Sequence, residues 1–249
     1  MPKQTATFKQ KLFEQFAKLG KALGSEVRLE IIELIIQCPT AVEDLAKKVK
    51  LPIANVSQHL QVLKQVGIVN TIRQGKSIVY EIADSDVIDL FLKLQGVGQR
   101  HIEEVDSLVN KYLTSRDSLE GMPVNQVHKL AKRGEITHLD VRPSEEYAHS
   151  HLEGALNITL EELEERLGDF PKSKTIVAYC RGTYCVLSYE AVKRLREKGF
   201  PAVAQPIDQS PRFALRPLAW LAALACASFT GAHAQATAEA QLVAAGPAL

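Results

Sequence analysis

The chain has 249 residues, with 30 Lys and Arg against 29 Asp and Glu, 46% hydrophobic residues and four cysteines. That length exceeds the usual single domain, so two domains are expected, and the apolar and charged fractions are ordinary for a soluble protein. Four cysteines (Cys38, Cys180, Cys185, Cys226) in a chain this long do not make a disulfide framework. No N-terminal signal pattern is present, so a cytoplasmic location is expected, where a close cysteine pair is more often reactive or metal-binding than structural.

Residues 1–100 carry fourteen Lys and Arg against ten Asp and Glu, a modest positive excess that suits phosphate contact. Phe8 to Leu19 is amphipathic and ends at Gly20. Ser25 is placed to cap a second helix through Gln37, which carries Val27, Leu29, Ile31, Ile32, Leu34 and Ile35. Thr40 with Glu43 three residues later forms a capping-box pattern for a short helix to Val49. Lys50-Leu51-Pro52 reads as a tight turn, followed by a helix to Val66 that stops at Gly67. Ile68–Arg73 and Ser77–Ile82, flanking Gln74-Gly75-Lys76, read as a hairpin. From Asp84 to about Ser115 the pattern is helical again, with Gly96 and Gly98 as interruptions. A helix of that length needs a partner surface, and a second copy of the chain supplies one.

Two short helices around a tight turn, followed by a hairpin, are the parts of a winged helix-turn-helix. In the second helix Val56, Leu60 and Leu63 share one side, and Ala54, Ser57, Gln58, Gln61 and Lys64 share the other. Gln58 and Gln61 suit adenine edges, and Ser57 is less selective. Asn55 and Lys64 complete the candidate DNA-facing set on this helix. Arg73 and Lys76 flank the hairpin tip, where cations neutralise phosphates or enter a minor groove. An ordinary solvated polar face is the plainer reading of the helix alone; the order of helices, turn and wing favours the DNA-reading one.

Leu45-Ala46 through Gly67-Ile68-Val69, with Val56-Ser57-Gln58-His59-Leu60 and Leu63, resembles the ArsR-type (arsenic-repressor-like) family over roughly residues 8–95. The resemblance implies a homodimeric repressor of double-stranded operator DNA, with the first and last helices at the dimer interface. Some members of that family sense metals. Here Thr40–Leu45 holds no cysteine and Cys38 stands alone upstream. His101 and Glu104 supply only half of a ligand set, so no metal and no cofactor is expected.

Residues 117–122 read as a linker between a first domain, 1–116, and a second, 123–204. In the second the rhythm alternates: strands at Ile136–Val141, Ala155–Ile158, Thr175–Tyr179 and Ala202–Ala204, with helices near Ser144–Ala148, over Leu160–Leu167 and from the cysteine loop to Lys198. Such alternation predicts a small parallel α/β sheet. The expected fold is thus an α+β winged helix-turn-helix domain followed by a small α/β domain.

Leu139-Asp140-Val141-Arg142-Pro143, Glu145-Glu146-Tyr147 and His151-Leu152-Glu153-Gly154-Ala155-Leu156-Asn157-Ile158, with the strand ending at Cys180, resemble a rhodanese domain. The resemblance implies that Cys180 is a nucleophile that takes up sulfane sulfur as a persulfide. A thiol between a strand end and a helix start points into backbone N–H groups, which favour thiolate and cradle an anion. Arg181 is the expected anion-stabilising cation, and Gly182, Thr183 and Tyr184 form the sulfur-anion loop. Asp140 with Arg142, His149 and His151 are expected to be structural.

The commoner rhodanese loop closes with a second Arg and a hydroxyl residue, where this chain has Cys185 and Val186. That difference argues against thiosulfate as donor, and the missing Arg argues against phosphatase or arsenate-reductase chemistry. Cys185 is either a thiol that resolves a persulfide on Cys180 or a second buried cysteine.

Residues 205–249 are alanine-rich and carry only Asp208, Arg212, Arg216 and Glu239 as charges. Leu218–Ala227 with Ala232-His233-Ala234 is laid out like a secretory signal at the wrong end of the chain, too short to span a bilayer. A foreign or frameshifted tail and a poorly ordered terminal helix are the two readings, and the rhodanese resemblance stops near Ala204. The functional expectation is a repressor that senses small sulfur species or redox state through Cys180, with no membrane partner. The alternative is a sulfurtransferase with an accessory DNA-binding domain.

Overall fold

The computed structural model describes residues 7–112, 124–182 and 184–205. The expected linker and the tail from residue 206 onward lie outside them, as does Thr183.

Helix α1 (Phe8–Leu23) starts at Thr7, which forms a capping box with Gln10. It runs past Gly20 to end at Gly24. Helix α2 (Glu26–Gln37) follows Ser25, whose backbone takes the cap position without a side-chain bond. Its Ile31, Ile32, Leu34 and Ile35 are buried and anchor the first core.

The expected capping box at Thr40 does not form. Thr40–Ala41 is instead a two-residue strand, β1, and the Thr40 hydroxyl donates to the Cys38 carbonyl at 2.8 Å. An extended Thr40 pairs with the hairpin, and that ladder replaces the cap. Helix α3 (Val42–Lys48) therefore begins without a side-chain cap, with Glu43 and Asp44 in its first turn to complement the dipole.

Lys50, at φ 55°, and Pro52 make the turn into α4 (Ile53–Gln65). Gly67, at φ 76°, lets the chain leave α4 and enter the wing. Strands β2 (Val69–Gln74) and β3 (Ser77–Ile82) form the hairpin across Gly75-Lys76, and the antiparallel sheet has the order β1-β3-β2.

Helix α5 (Ser85–His101), capped by the Asp84 side chain on the Val87 N–H, passes through Gly96 and Gly98 without interruption. The single long helix expected here breaks instead at Ile102, which is extended (φ −113°, ψ 104°), and α6 (Glu103–Tyr112) begins anew. Charge explains the position of the break: Arg100 and His101 close one helix and Glu103, Glu104 and Asp106 open the next, each sign on its favoured terminus.

The second half begins with a helix that the sequence reading did not include, α7 (Val124–Lys132). A four-stranded, all-parallel sheet follows, in the order β5-β4-β6-β7, made of β4 (Ile136–Asp140), β5 (Leu156–Asn157), β6 (Thr175–Tyr179) and β7 (Ala202–Gln205). Helix α8 (Ser144–His149) follows β4, and α9 (Val186–Glu197) connects β6 to β7.

The helix expected over Leu160–Leu167 is absent. That stretch is a series of turns ending in a short 3-10 turn, Leu167–Asp169. Glu161, Glu162, Glu164 and Glu165 place like charges three and four apart, which disfavours an α-helix. The core of this half gathers Leu139, Ile158, Leu163, Ile176, Ala178, Ala191, Val192 and Leu195, all essentially without solvent exposure.

Candidate functional site

The candidate DNA-facing residues lie on α4 and the wing. Val56, Leu60 and Leu63 are fully buried, so the opposite side is held outward. Asn55, Gln58, Gln61 and Lys64 are exposed there, and Ser57 is half-buried. Lys64 Nζ donates to Thr71 Oγ1 at 2.9 Å, which ties the end of α4 to the wing. Arg73 and Lys76 are exposed at the hairpin, and Arg73 Nε reaches the Gly75 carbonyl at 3.4 Å. All seven candidate residues thus lie on α4 or the adjoining wing, with their polar groups free of the core.

The two loop cysteines lie where β6 ends. Val177, Ala178 and Tyr179 are buried, and they deliver Cys180, 4% exposed, to the loop before α9. Cys185 stands at the N-cap of α9, and the two cysteines are joined sulfur to sulfur with Cα atoms 6.3 Å apart. Cys180 Sγ also lies 3.4 Å from the Cys185 carbonyl oxygen and 3.5 Å from Ser188 Oγ in the first turn of α9. The sulfur thus sits at the start of α9, beside a carbonyl oxygen and a hydroxyl.

Arg181 is committed elsewhere. Its Nε and Nη2 donate to the two oxygens of Glu146 at 2.9 and 2.8 Å, and Glu146 has no solvent exposure. Burial opposes the Arg181 charge, but the hydrogen bonds and charge of Glu146 outweigh it, so its pKa is raised. Glu146 also accepts from Lys48 Nζ of α3 at 3.3 Å, and Lys48 lies 3.4 Å from Glu145. The Tyr184 phenol donates to Gln99 Oε1 of α5 at 2.8 Å; its burial pushes that phenol's pKa up.

Asp140 and Arg142 form the structural pair expected of them. Arg142 Nη2 lies 2.6 Å from Asp140 Oδ2 and 2.8 Å from the Ser150 carbonyl, and Nη1 donates to Gln37 Oε1 of α2 at 3.2 Å. Asn157 Nδ2 donates to the carbonyls of both Asp140 and Arg142, fixing the turn after β4. The buried Tyr179 phenol accepts from the Leu152 N–H at 3.1 Å, and burial together with the Asp140 charge raises its pKa. His151 stacks on Tyr147 and bonds its carbonyl, and burial lowers the His149 pKa.

Gln37, Lys48 and Gln99 are not among the candidate site residues read from the sequence, and Glu146 figures there only within the Glu145-Glu146-Tyr147 motif. Lys48 and Glu146 are 98 positions apart and no local pattern links them. Cys38 is buried and reduced, 3.6 Å from Thr40 Oγ1, and burial raises its thiol pKa. Among the described residues no three His, Cys, Asp or Glu side chains gather as a metal site, and no helix is long and apolar enough to cross a membrane.

A winged helix-turn-helix joined to a thiol-bearing parallel α/β sheet defines a two-part DNA-binding regulator, and comparison with known proteins agrees. Residues 25–71 match the bacterial regulatory protein arsR family, and residues 123–206 match the rhodanese-like domain. The HTH-type transcriptional regulator Rv0324 of Mycobacterium tuberculosis is 38% identical over 190 residues, covering 76% of this chain and 82% of the relative. The regulator NmtR of the same organism is 37% identical over 76 residues, 30% of this chain and 63% of its own length. The solution structure of the homodimeric winged helix-turn-helix DNA-binding domain of Mb0332 from Mycobacterium bovis is 36% identical, covers 41% of this chain and 95% of that one, and has a TM-score of 0.38. The chain belongs to the ArsR family of transcriptional regulators and carries a rhodanese-like domain.

Proposed function

We propose that this regulator is a homodimeric repressor of operator DNA that responds to reactive sulfur through Cys180. The observation that carries the reading is the sulfur-to-sulfur approach of Cys180 and Cys185 at the start of α9. The Cys180 thiolate attacks a sulfane sulfur of a polysulfide, the S–S bond of the donor breaks, and a shorter polysulfide leaves with the electron pair. The Cys185 thiolate then attacks Cys180 Sγ and expels hydrosulfide. The two thiols are oxidised to a disulfide and the sulfane sulfur is reduced.

Thiosulfate turnover fits less well, because Arg181, the cation nearest the thiol in sequence, is paired in bidentate fashion with Glu146. The dimer is supported by the exposed apolar residues Phe8, Phe13 and Phe16 on α1 and Leu90, Leu94 and Val97 on α5, more apolar surface than one solvated helix face usually presents. The DNA-facing set is Asn55, Ser57, Gln58, Gln61 and Lys64 of α4 with Arg73 and Lys76 of the wing.

The test is an operator-binding titration of wild type and Cys180→Ser, each with and without polysulfide. Polysulfide is expected to weaken wild-type binding and leave Cys180→Ser unchanged. Equal affinity in all four arms would sink the sensing claim. A sulfurtransferase assay with thiosulfate is expected to give no turnover above background; robust turnover would favour the enzyme reading.

A further inference from the structure

The bond between Cys180 and Cys185 closes a short ring, and that ring contains Arg181 and Tyr184. These two side chains lead out of the sulfur loop to the winged-helix domain. Arg181 holds Glu146, and the same carboxylate holds Lys48 of α3. Tyr184 donates directly to Gln99 of α5. One connection thus ends on the first helix of the helix-turn-helix and the other on the helix that bears the exposed apolar face.

A third cross-domain bond, Arg142 to Gln37 of α2, starts outside the ring. Arg142 is itself fixed by Asp140 and the Ser150 carbonyl, neither of them in the ring, so this bond offers a pivot. A coupling needs contacts that differ between two states of the input, together with a fixed frame against which they move. The ring supplies the first and the Arg142–Gln37 bond the second.

We propose that the Cys180–Cys185 ring is the input of an intramolecular switch, with Lys48 and Gln99 as the two points where its state reaches the DNA-binding domain. The inference rests on the sulfur-sensing reading above and names the route by which it acts. In the closed ring, Arg181 and Tyr184 are pinned and their contacts hold α3 and α5 in the low-affinity arrangement. Reduction to two thiols, by a low-molecular-weight dithiol such as dithiothreitol, opens the ring and transfers its disulfide to the reductant. Arg181 and Tyr184 gain freedom, and the grip on Lys48 and Gln99 loosens.

The experiment uses the full chain with Lys48→Met, Gln99→Leu and the double variant, whose substitutions lie across the seam from the sulfur loop. For each protein, operator affinity is measured after dithiothreitol and after polysulfide, and ring closure is followed by intact mass. Wild type is expected to lose at least about fivefold in affinity on ring closure. The double variant should close its ring at the wild-type rate yet lose less than about twofold, with each single variant between. A double variant that keeps the full wild-type ratio overturns the route and leaves sensing intact. A wild-type protein whose ring closes with no change in affinity overturns sensing itself, and the route with it; so does a wild-type ring that polysulfide fails to close. Circular dichroism of the reduced proteins confirms that the variants are folded, and the reduced-state affinity of each is its own baseline.

Discussion

The winged-helix half and the rhodanese-like half place their working groups in opposite settings. In the first, Asn55, Gln58, Gln61, Arg73 and Lys76 stand in solvent, outside the apolar cluster built around Ile31, Leu45, Leu60 and Leu63. In the second, Cys180 and Cys185 are buried within the core cluster itself, and Asp140, Arg142 and Glu146 are buried with them. Reading DNA requires donors and acceptors free to meet base edges and phosphates, so exposure costs nothing. Handling sulfur requires a fixed thiol in a dry, oriented setting, which draws charged groups inside and obliges each to find a partner. Substitutions of these polar and charged residues should therefore leave the fold of the first half alone and disturb that of the second.

The sharpest test is Arg142→Met, which leaves the carboxylate of Asp140 buried beside an uncharged side chain. It is expected to destabilise the second half by about 3–5 kcal/mol, read as a separate early transition in urea unfolding while the winged-helix half holds. A single unchanged transition would break the contrast.

In the first half the two sides of α4 should separate. Leu60→Ala is expected to cost about 2–5 kcal/mol of stability, because it empties a site with no exposure. Gln58→Ala should stay within about 0.5 kcal/mol in stability but lose about 1–3 kcal/mol of operator affinity. Gly67→Ala, at φ 76° with open space around the added methyl, tests backbone strain alone and should cost about 1–2 kcal/mol.

The smallest effect concerns Glu33 of α2, whose pKa burial raises, with the Arg181 charge opposing. A carboxyl raised in the folded state is penalised once it ionises, so it favours folding most below its ordinary value of 4.5, and that contribution is lost as pH rises through the folded value. Glu33→Gln should therefore raise the thermal midpoint at pH 7 and change it less near pH 4. An equal shift at both values would show that the charge of Glu33 is not what matters.

Local periodicity carries much of this fold. The Val56, Leu60 and Leu63 spacing, the β-branched hairpin and the apolar run into Cys180 each mark an element whose burial follows from its own residues. The exceptions lie where a distant partner or a sum of charges decides. Thr40 pairs with Tyr80 rather than capping α3, the carboxylates after Leu160 keep that segment from becoming a helix, and Ile102 breaks a helix that two glycines do not. At the candidate site the cysteines were visible in the sequence, but Glu146 as the common partner of Arg181 and Lys48 was not. Residues 98 positions apart leave no periodic trace.

The two-residue strand β1 has a mechanical meaning. Thr40 and Ala41 lie between Gln37 and Lys48, both of which touch the rhodanese-like half, and their rungs to Tyr80 and Val79 bolt that stretch to the wing. If torque reached the α2–α3 junction, these rungs would carry it to the hairpin as a stiff crank. Arg73 and Lys76 would then lift from the phosphates together, and a weakened complex would show a shallower dependence of affinity on salt rather than a changed preference among bases.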